Sequence, residues 1–231
     1  MKVGMATHVG KVRTVNEDSI GRQGTLLILA DGMGGHQAGE VASALVVERV
    51  LALETDAPNF RAALTSALNE ANQTLLVYAG EHQECLGMGT TVVVVKVEAN
   101  RLCVAHIGDS RAYLWHQEQL TPLTIDHSLV AELVQSGGIT EEEAKNHPQR
   151  NVLTKALGAS GPVEPAYREV PVTGGDRLLL CSDGLTVMLS DPEIGTLLGA
   201  APSPQAAADR LVAAANDRGG IDNISAIVAF I

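Results

Sequence analysis

Aromatic residues make up only 3% of this 231-residue sequence, so its core must be built mainly from Leu, Val, Ile and Ala. Cysteine is just as sparse, with Cys85, Cys103 and Cys181 alone. Three scattered cysteines make no disulfide framework and suit a reducing compartment. None is followed six positions on by Arg; those positions hold Thr91, Asp109 and Val187, which disfavours a cysteine-nucleophile phosphatase loop. No Cys or His spacing resembles a zinc site. No apolar run reaches the roughly 18 residues that would span a bilayer. The opening MKVGMATHVGK lacks the apolar stretch of a signal peptide. The expectation is a cytoplasmic protein with no membrane partner. Positive charge is also short: 16 Lys and Arg against 27 Asp and Glu leave a net charge of -11. Binding a nucleic-acid backbone needs clustered basic residues, so no nucleic-acid partner is expected.

What is present reads as a globular chain, with 45% hydrophobic and 19% charged residues. Residues 2–9 form a weak strand candidate. TLLILAD (25–31) is a buried-strand run that ends in Asp-Gly. A helix is predicted from about Gln37 to Leu53, where apolar residues follow helical spacing and Arg49 is the one polar break. A second is predicted from near Pro58-Asn59, with the stripe Phe60, Leu64, Ala67, Leu68, Ala71, Leu75 and Tyr78. TTVVVVKVE, RLCVAHIGD and RAYLWH then read as three strands of one antiparallel meander, turning at Ala99-Asn100 and Asp109-Ser110. From about Asp126 to Gly158 the pattern is helical and polar. Gly137-Gly138 would end one short helix, and Thr140 with Glu143 would cap the next as a capping box. DRLLLCSDG (176–184) repeats the strand-then-Asp-Gly shape. Ser203-Pro204 opens a helix running to Gly219-Gly220, and NISAIVAFI closes the chain as a strand. Strands in adjacent runs and helices in adjacent pairs predict an α+β layered domain with mainly antiparallel sheet, stacked sheet on sheet with helix pairs outside.

The chemistry-bearing pattern is acidic. LLILADG and LLLCSDG deliver Asp31 and Asp183 at strand ends, and Gly32 and Gly184 are expected to turn the backbone sharply there. Asn16-Glu17-Asp18 follows the first strand, Asp222-Asn223 precedes the last, and Gly108-Asp109-Ser110-Arg111 lies at an expected hairpin turn. A single Asp-Gly is most simply a turn. Five acidic strand ends gathered at one sheet edge would repel one another unless cations neutralised them. Their donors are hard oxygens, which suit Mg²⁺ or Mn²⁺ rather than zinc or copper. Two such ions form a common hydrolytic device that activates water and needs no side-chain nucleophile. A dinucleotide loop fails at DGMGGHQAGE, because after Gly32 and Gly34 the third position is Gln37. No P-loop motif occurs.

NEDS, ADGMGGHQAGE, GMGTT, HIGDSRAYL, the DHS of Asp126 to Ser128, CSDGL and DNIS appear in that order. Together they resemble the metal-dependent Ser/Thr protein phosphatases of type 2C, the PPM family, in compact bacterial form. The resemblance covers nearly the whole chain. It implies one catalytic domain over residues 1–231, folded as a four-layer α-β-β-α sandwich, with a mobile flap at about 135–158. It implies two Mn²⁺ or Mg²⁺ ions bridged by Asp31, with the Gly32 carbonyl as a further ligand. Asp183 and Asp222 would hold one ion; Asp18 would serve the other, with Glu17 helping through water. A third, weaker divalent ion would be shared by Asp109 and Asp183. Arg13 matches the family's phosphate-binding arginine and His36 its proposed general acid. The implied partners are phosphorylated proteins, including a bacterial Ser/Thr kinase and its substrates, met by a monomer.

Two positions keep simpler readings open. Asp126-His127 reads as a helix cap at the root of the flap, and Asp109 as a plain hairpin residue. His106 reads as a satisfied core histidine. Two rival functions are a non-catalytic module that keeps this fold for binding, and a hydrolase of small phosphate esters. The first should have lost its carboxylates or Arg13, which this chain retains.

Overall fold

In the computed structural model, which describes residues 1–34, 38–55 and 59–231, the apolar runs become strands of two antiparallel sheets. In chain order the first elements are β1 (Lys2–His8), β2 (Asp18–Gln23), β3 (Leu26–Met33), α1 (Ala38–Leu51) and α2 (Phe60–Glu81). Then come β4 (Gly89–Thr90), β5 (Val92–Val97), β6 (Arg101–Ile107), β7 (Arg111–His116), β8 (Gln119–Pro122), α3 (Leu129–Gln135) and α4 (Glu141–Lys145). The chain finishes with β9 (Ala166–Pro171), β10 (Arg177–Cys181), α5 (Asp183–Thr186), α6 (Asp191–Gly199), α7 (Pro204–Asp217) and β11 (Ile224–Phe230). One sheet has the order β1-β11-β10-β7-β8; the other runs β2-β3-β5-β6-β9, with β4 paired to β3.

Alternation of side chains along each strand feeds two cores at once. Leu27, Leu29, Val93 and Val95 from one sheet meet Leu178, Leu180, Ile227 and Ala229 from the other between the sheets. The opposite faces of the same strands turn outward. Leu26 and Ile28 pack under Ala42, Val46, Leu64 and Leu68 of α1 and α2. Leu179, Ala226 and Val228 pack under Leu198, Leu211 and Ala215 of α6 and α7. Strands buried on both faces explain the near-continuous apolar runs, and the four layers are those expected.

Helix ends follow their caps. Asn59 caps α2 by accepting from Ala62 N–H at 3.1 Å, Thr140 and Glu143 form the expected capping box of α4, and Ser203 caps α7. Gln37 and Pro58 lie outside the described residues; α1 is described from Ala38 and α2 from its cap Asn59.

Three expectations are corrected. The strands β5, β6 and β7 are not one meander: β5 pairs with β6, but β7 pairs with β10 and β8 in the other sheet. Gly108-Asp109-Ser110 is therefore a corner at which the chain changes sheets, not a hairpin turn, and Gly108 makes that corner at φ 96°. Such corners carry the same Gly-Asp chemistry as hairpins, which is why the two look alike in sequence. The two Asp-Gly pairs do not share one shape, since Asp31-Gly32 lies inside β3 whereas Asp183-Gly184 opens the short helix α5. Asp18 follows the first strand, as expected, and opens β2.

Candidate metal centre

Five carboxylates distant in sequence come to one end of the sandwich. Asp18 pairs in register with Asp31 across β2 and β3. Asp183 begins α5 directly beyond β10, Asp222 sits just before β11, and Asp109 occupies the sheet-switching corner. The electrostatic neighbours that act most on Asp31 are Asp18, Asp183, Asp109 and Asp222, all of them carboxylates.

The segments that carry these carboxylates are held by groups the chain sets around them. The backbone of Asp31 is fixed on both sides by the Thr90-Thr91 pair: Thr91 Oγ1 accepts from Asp31 N–H at 3.0 Å, and Thr90 Oγ1 donates to Asp31 C=O at 2.9 Å. Ser182 Oγ donates to Asp18 Oδ2 at 2.8 Å while accepting from Ser225 N–H at 3.0 Å. Asn223 stitches the loop between β1 and β2 to the start of β11. Its side chain donates to the carbonyls of Val9 and Val15 and accepts from Glu17 N–H at 2.8 Å. None of these four positioning residues is marked as functional by the sequence pattern alone. Their signals were there, in the GMGTT, CSDGL and DNIS motifs, but a hydroxyl or amide does not reveal its partner until the strands are paired.

The two glycines act by close approach rather than by turning. A Cβ on Gly32 would lie 2.0 Å from the Gly39 carbonyl oxygen at the start of α1, and one on Gly184 would lie 2.0 Å from the Asn223 carbonyl oxygen. Only glycine lets α1 settle on the end of β3, and α5 on the approach to β11.

The cluster is strongly self-repelling. Burial, reinforced by the four neighbouring carboxylates, lifts Asp31 well above the ordinary carboxylate range. Burial lifts Asp18 to about 7, with Asp183 and Asp222 adding to the shift and the Ser225 and Ser182 hydroxyls opposing it. Asp109 is raised to about 7 by burial and by Asp183 and Asp126. Asp183 is raised to about 6 by burial and Asp222, against a hydrogen bond with Asp31. Glu17 is raised by burial, opposed by Arg13 and by a hydrogen bond from Gly39 N–H. Compensating positive charge is slight: Arg13 donates to Asp222 at 2.8 Å, half exposed at the rim.

This arrangement fits divalent cations. Asp18 Oδ1 is buried with no hydrogen-bond partner, and an unpartnered buried anionic oxygen is costly unless something positive meets it. Among the described residues no three His, Cys, Asp or Glu side chains close around one point. Carboxylate, backbone-carbonyl and water oxygens together are the donors that hard divalent cations take. A cavity of about 710 Å³ between the β7–β8 hairpin and α6 contains none of these carboxylates and stands apart from the centre.

Among the other candidates, His36 lies outside the described residues. Asp126-His127 is not the helix cap expected: Ser128 caps α3, accepting from Ala131 N–H, while Asp126 pairs with Arg111 through two hydrogen bonds. His106 is a satisfied core histidine, bonded to the Ile125 carbonyl at 2.7 Å.

Residues 7–218 match the protein phosphatase 2C family model. A serine/threonine phosphatase stp of Listeria welshimeri is 40% identical over 234 residues, spanning 96% of this chain and 92% of that protein. The crystal structure of the Mycobacterium tuberculosis serine/threonine phosphatase PstP/Ppp is 41% identical, with a TM-score of 0.93 over 100% of this chain and 98% of that one. The catalytic domain of a serine/threonine protein phosphatase PstP, solved in complex with two manganese ions, is 39% identical, with a TM-score of 0.90 over 99% of this chain and 97% of that one.

Proposed function

The chain belongs to the protein phosphatase 2C family, and we infer that it is a metal-dependent protein serine/threonine phosphatase whose working centre is the carboxylate cluster at the end of the sandwich. Its substrates are phosphorylated proteins, and its cofactors are two divalent cations, Mn²⁺ or Mg²⁺. The observation that carries this reading is the meeting of Asp18, Asp31, Asp109, Asp183 and Asp222 with too little positive charge to balance them.

In this reading Asp31 would be shared by the two ions, with the Gly32 carbonyl as a further donor. Asp183 and Asp222 would hold one ion; Asp18 would hold the other, assisted through water by Glu17, and Asp109 with Asp183 would hold a third, weaker ion. When bound, the ions supply positive charge against the phosphate and make a water acidic enough to attack at neutral pH. The rest of the work falls to the chain. Ser182 holds a carboxylate oxygen of Asp18, and Thr90-Thr91 fix the backbone that carries Asp31, so both side chains need little reorganisation to receive charge. Arg13 stands at the rim, its guanidinium joined to Asp222 through one amino group, and its further N–H donors suit a phosphate oxygen. His36 is the general acid, donating a proton to the departing serine or threonine oxygen. Its replacement by Ala should slow alkyl phosphates and spare aryl phosphates such as p-nitrophenyl phosphate; equal losses on both would remove it from this role.

The chain acts as one catalytic domain over 1–231, with residues 135–158 as a flap beside the site. We place the protein in the cytoplasm as a monomer that opposes a bacterial Ser/Thr kinase. Three free, buried cysteines agree with a reducing compartment, and among the described residues no helix is long and apolar enough to cross a membrane. The test is to assay a phosphothreonine peptide beside p-nitrophenyl phosphate, with Mn²⁺ and then with chelator. Turnover that persists in chelator would overturn the metal-dependent mechanism. Turnover of the aryl phosphate alone would point to a small-ester hydrolase.

A further inference from the structure

The stretch from Asp126 to Leu157 is tied down at both ends, and each tie lies beside a carboxylate of the metal centre. At the far end Leu157 exchanges backbone hydrogen bonds with Thr90, at 2.9 and 3.0 Å, and the Thr90 hydroxyl donates to the Asp31 carbonyl. At the near end His127 closes on the corner that carries Asp109. Its N–H donates to Gly108 C=O at 3.0 Å, its Nδ1 accepts from Gly108 N–H at 3.1 Å, and its ring stacks on His106 with centroids 4.6 Å apart. Between the ties, α3 and α4 contribute no buried residue to any core. A segment with so little buried surface takes its position from its anchors.

The near anchor has a side-chain lock. Arg111 Nε and Nη2 donate to the two oxygens of Asp126 at 2.9 and 2.7 Å, the planar fork matching the carboxylate. Nη1 of Arg111 donates to the Tyr113 hydroxyl at 3.1 Å, and that hydroxyl donates to Asp191 at 3.2 Å at the start of α6. The guanidinium is thereby held from the α6 side of the sheet and presented, already oriented, to Asp126.

We propose that Arg111 and Asp126 form a positioning clasp that fixes the root of the 126–157 strap against the Asp109 corner and so sets how the strap meets a protein-sized substrate. The proposal rests on the phosphatase reading above. Arg111 is a positioning residue, since it acts through Asp126 and not on the reacting atoms.

Arg111→Lys keeps the charge and loses the fork; Asp126→Asn keeps the shape and loses the charge. In either variant, amide exchange at Leu129, Thr154 and Leu157 should quicken by about tenfold, the scale of one lost charge-assisted hydrogen bond. KM for a phosphothreonine peptide should rise by about fivefold or more, while its kcat and both constants for p-nitrophenyl phosphate stay within about twofold. The double variant should be no worse than the worse single one, because both remove the same contact. Unchanged exchange, parallel losses on peptide and aryl phosphate, or additive effects in the double variant would each overturn the clasp. Exchange is read without turnover, so the clasp can fail while the phosphatase reading stands. A wild-type enzyme inactive on both substrates would sink that reading instead.

Discussion

Asp18 and Asp31 face each other across β2 and β3, in register, so that two carboxylates are brought together at the buried end of one antiparallel pair. Two adjoining carboxylates cannot both ionise cheaply at such a place, and either protons or cations must stand between them.

This has a consequence for pH. Asp18 and Asp109 hold their protons to about 7 in the folded chain, against an ordinary value near 3.8. Between those values the native state binds more protons than the unfolded state, so the chelated protein loses stability as pH rises, by about 1.4 kcal/mol per pH unit for each such proton. Its Tm should fall by about 10 °C or more between pH 5 and pH 8, and Mn²⁺ should flatten or reverse the trend by binding the ionised form. A differential scanning series with and without chelator checks this. A chelated Tm that climbs steadily over that range would contradict the burial-driven shifts.

Ser182 is expected to matter to the metal rather than to the substrate. Its hydroxyl bonds Asp18 while its oxygen receives Ser225 N–H. Ser182→Ala should weaken Mn²⁺ affinity by roughly 10–100-fold, the scale seen when an outer-shell partner of a ligand is removed. Calorimetric titration with Mn²⁺ reads it directly, and an unchanged affinity would reduce Ser182 to a packing role.

Arg13→Ala should raise KM for phosphorylated substrates by about tenfold or more, as expected from losing a hydrogen bond between charged partners, with a smaller change in kcat. Steady-state kinetics on a phosphothreonine peptide decide it. If KM does not move, Arg13 serves Asp222 alone.

Gly32→Ala should be severely destabilising, because the new methyl would sit 2.0 Å from the Gly39 carbonyl and neither α1 nor β3 can yield without opening the core. Gly174→Ala is the control, since nothing lies within 4 Å of its Cβ position. Thermal melts of the two should differ by many degrees; similar melts would mean that α1 shifts freely on the sheet.

The helices α1, α2, α3, α4 and α7 and the apolar strands are legible in the sequence because their signals are local: stripes at helical spacing, apolar runs, and caps such as Asn59, Thr140 and Ser203; α5 and α6 are too short to show such a stripe. The strands β2, β8 and β9 were harder to read, since DSIGRQ, QLTP and AYREVP are short or polar and are recognised as strands only by the neighbours they pair with. The Asp residues of the centre were legible because apolar strands run straight into them or leave directly after them. Their supports were not, because Asn223 and Ser182 bond partners tens to hundreds of positions away.

By itself, then, the sequence determined the long helices and the apolar strands, where the carboxylates fall along the chain, and which family the ordered motifs resemble. Tertiary structure alone decided that β7 leaves the sheet of β5 and β6, that Asp18 lies opposite Asp31, and that Gly32 and Gly184 are there for contact rather than for turning. The division has a physical cause. Backbone preference and side-chain periodicity act over a few residues, whereas the choice of strand partner, register and close approach is settled by burial shared between segments far apart in the chain.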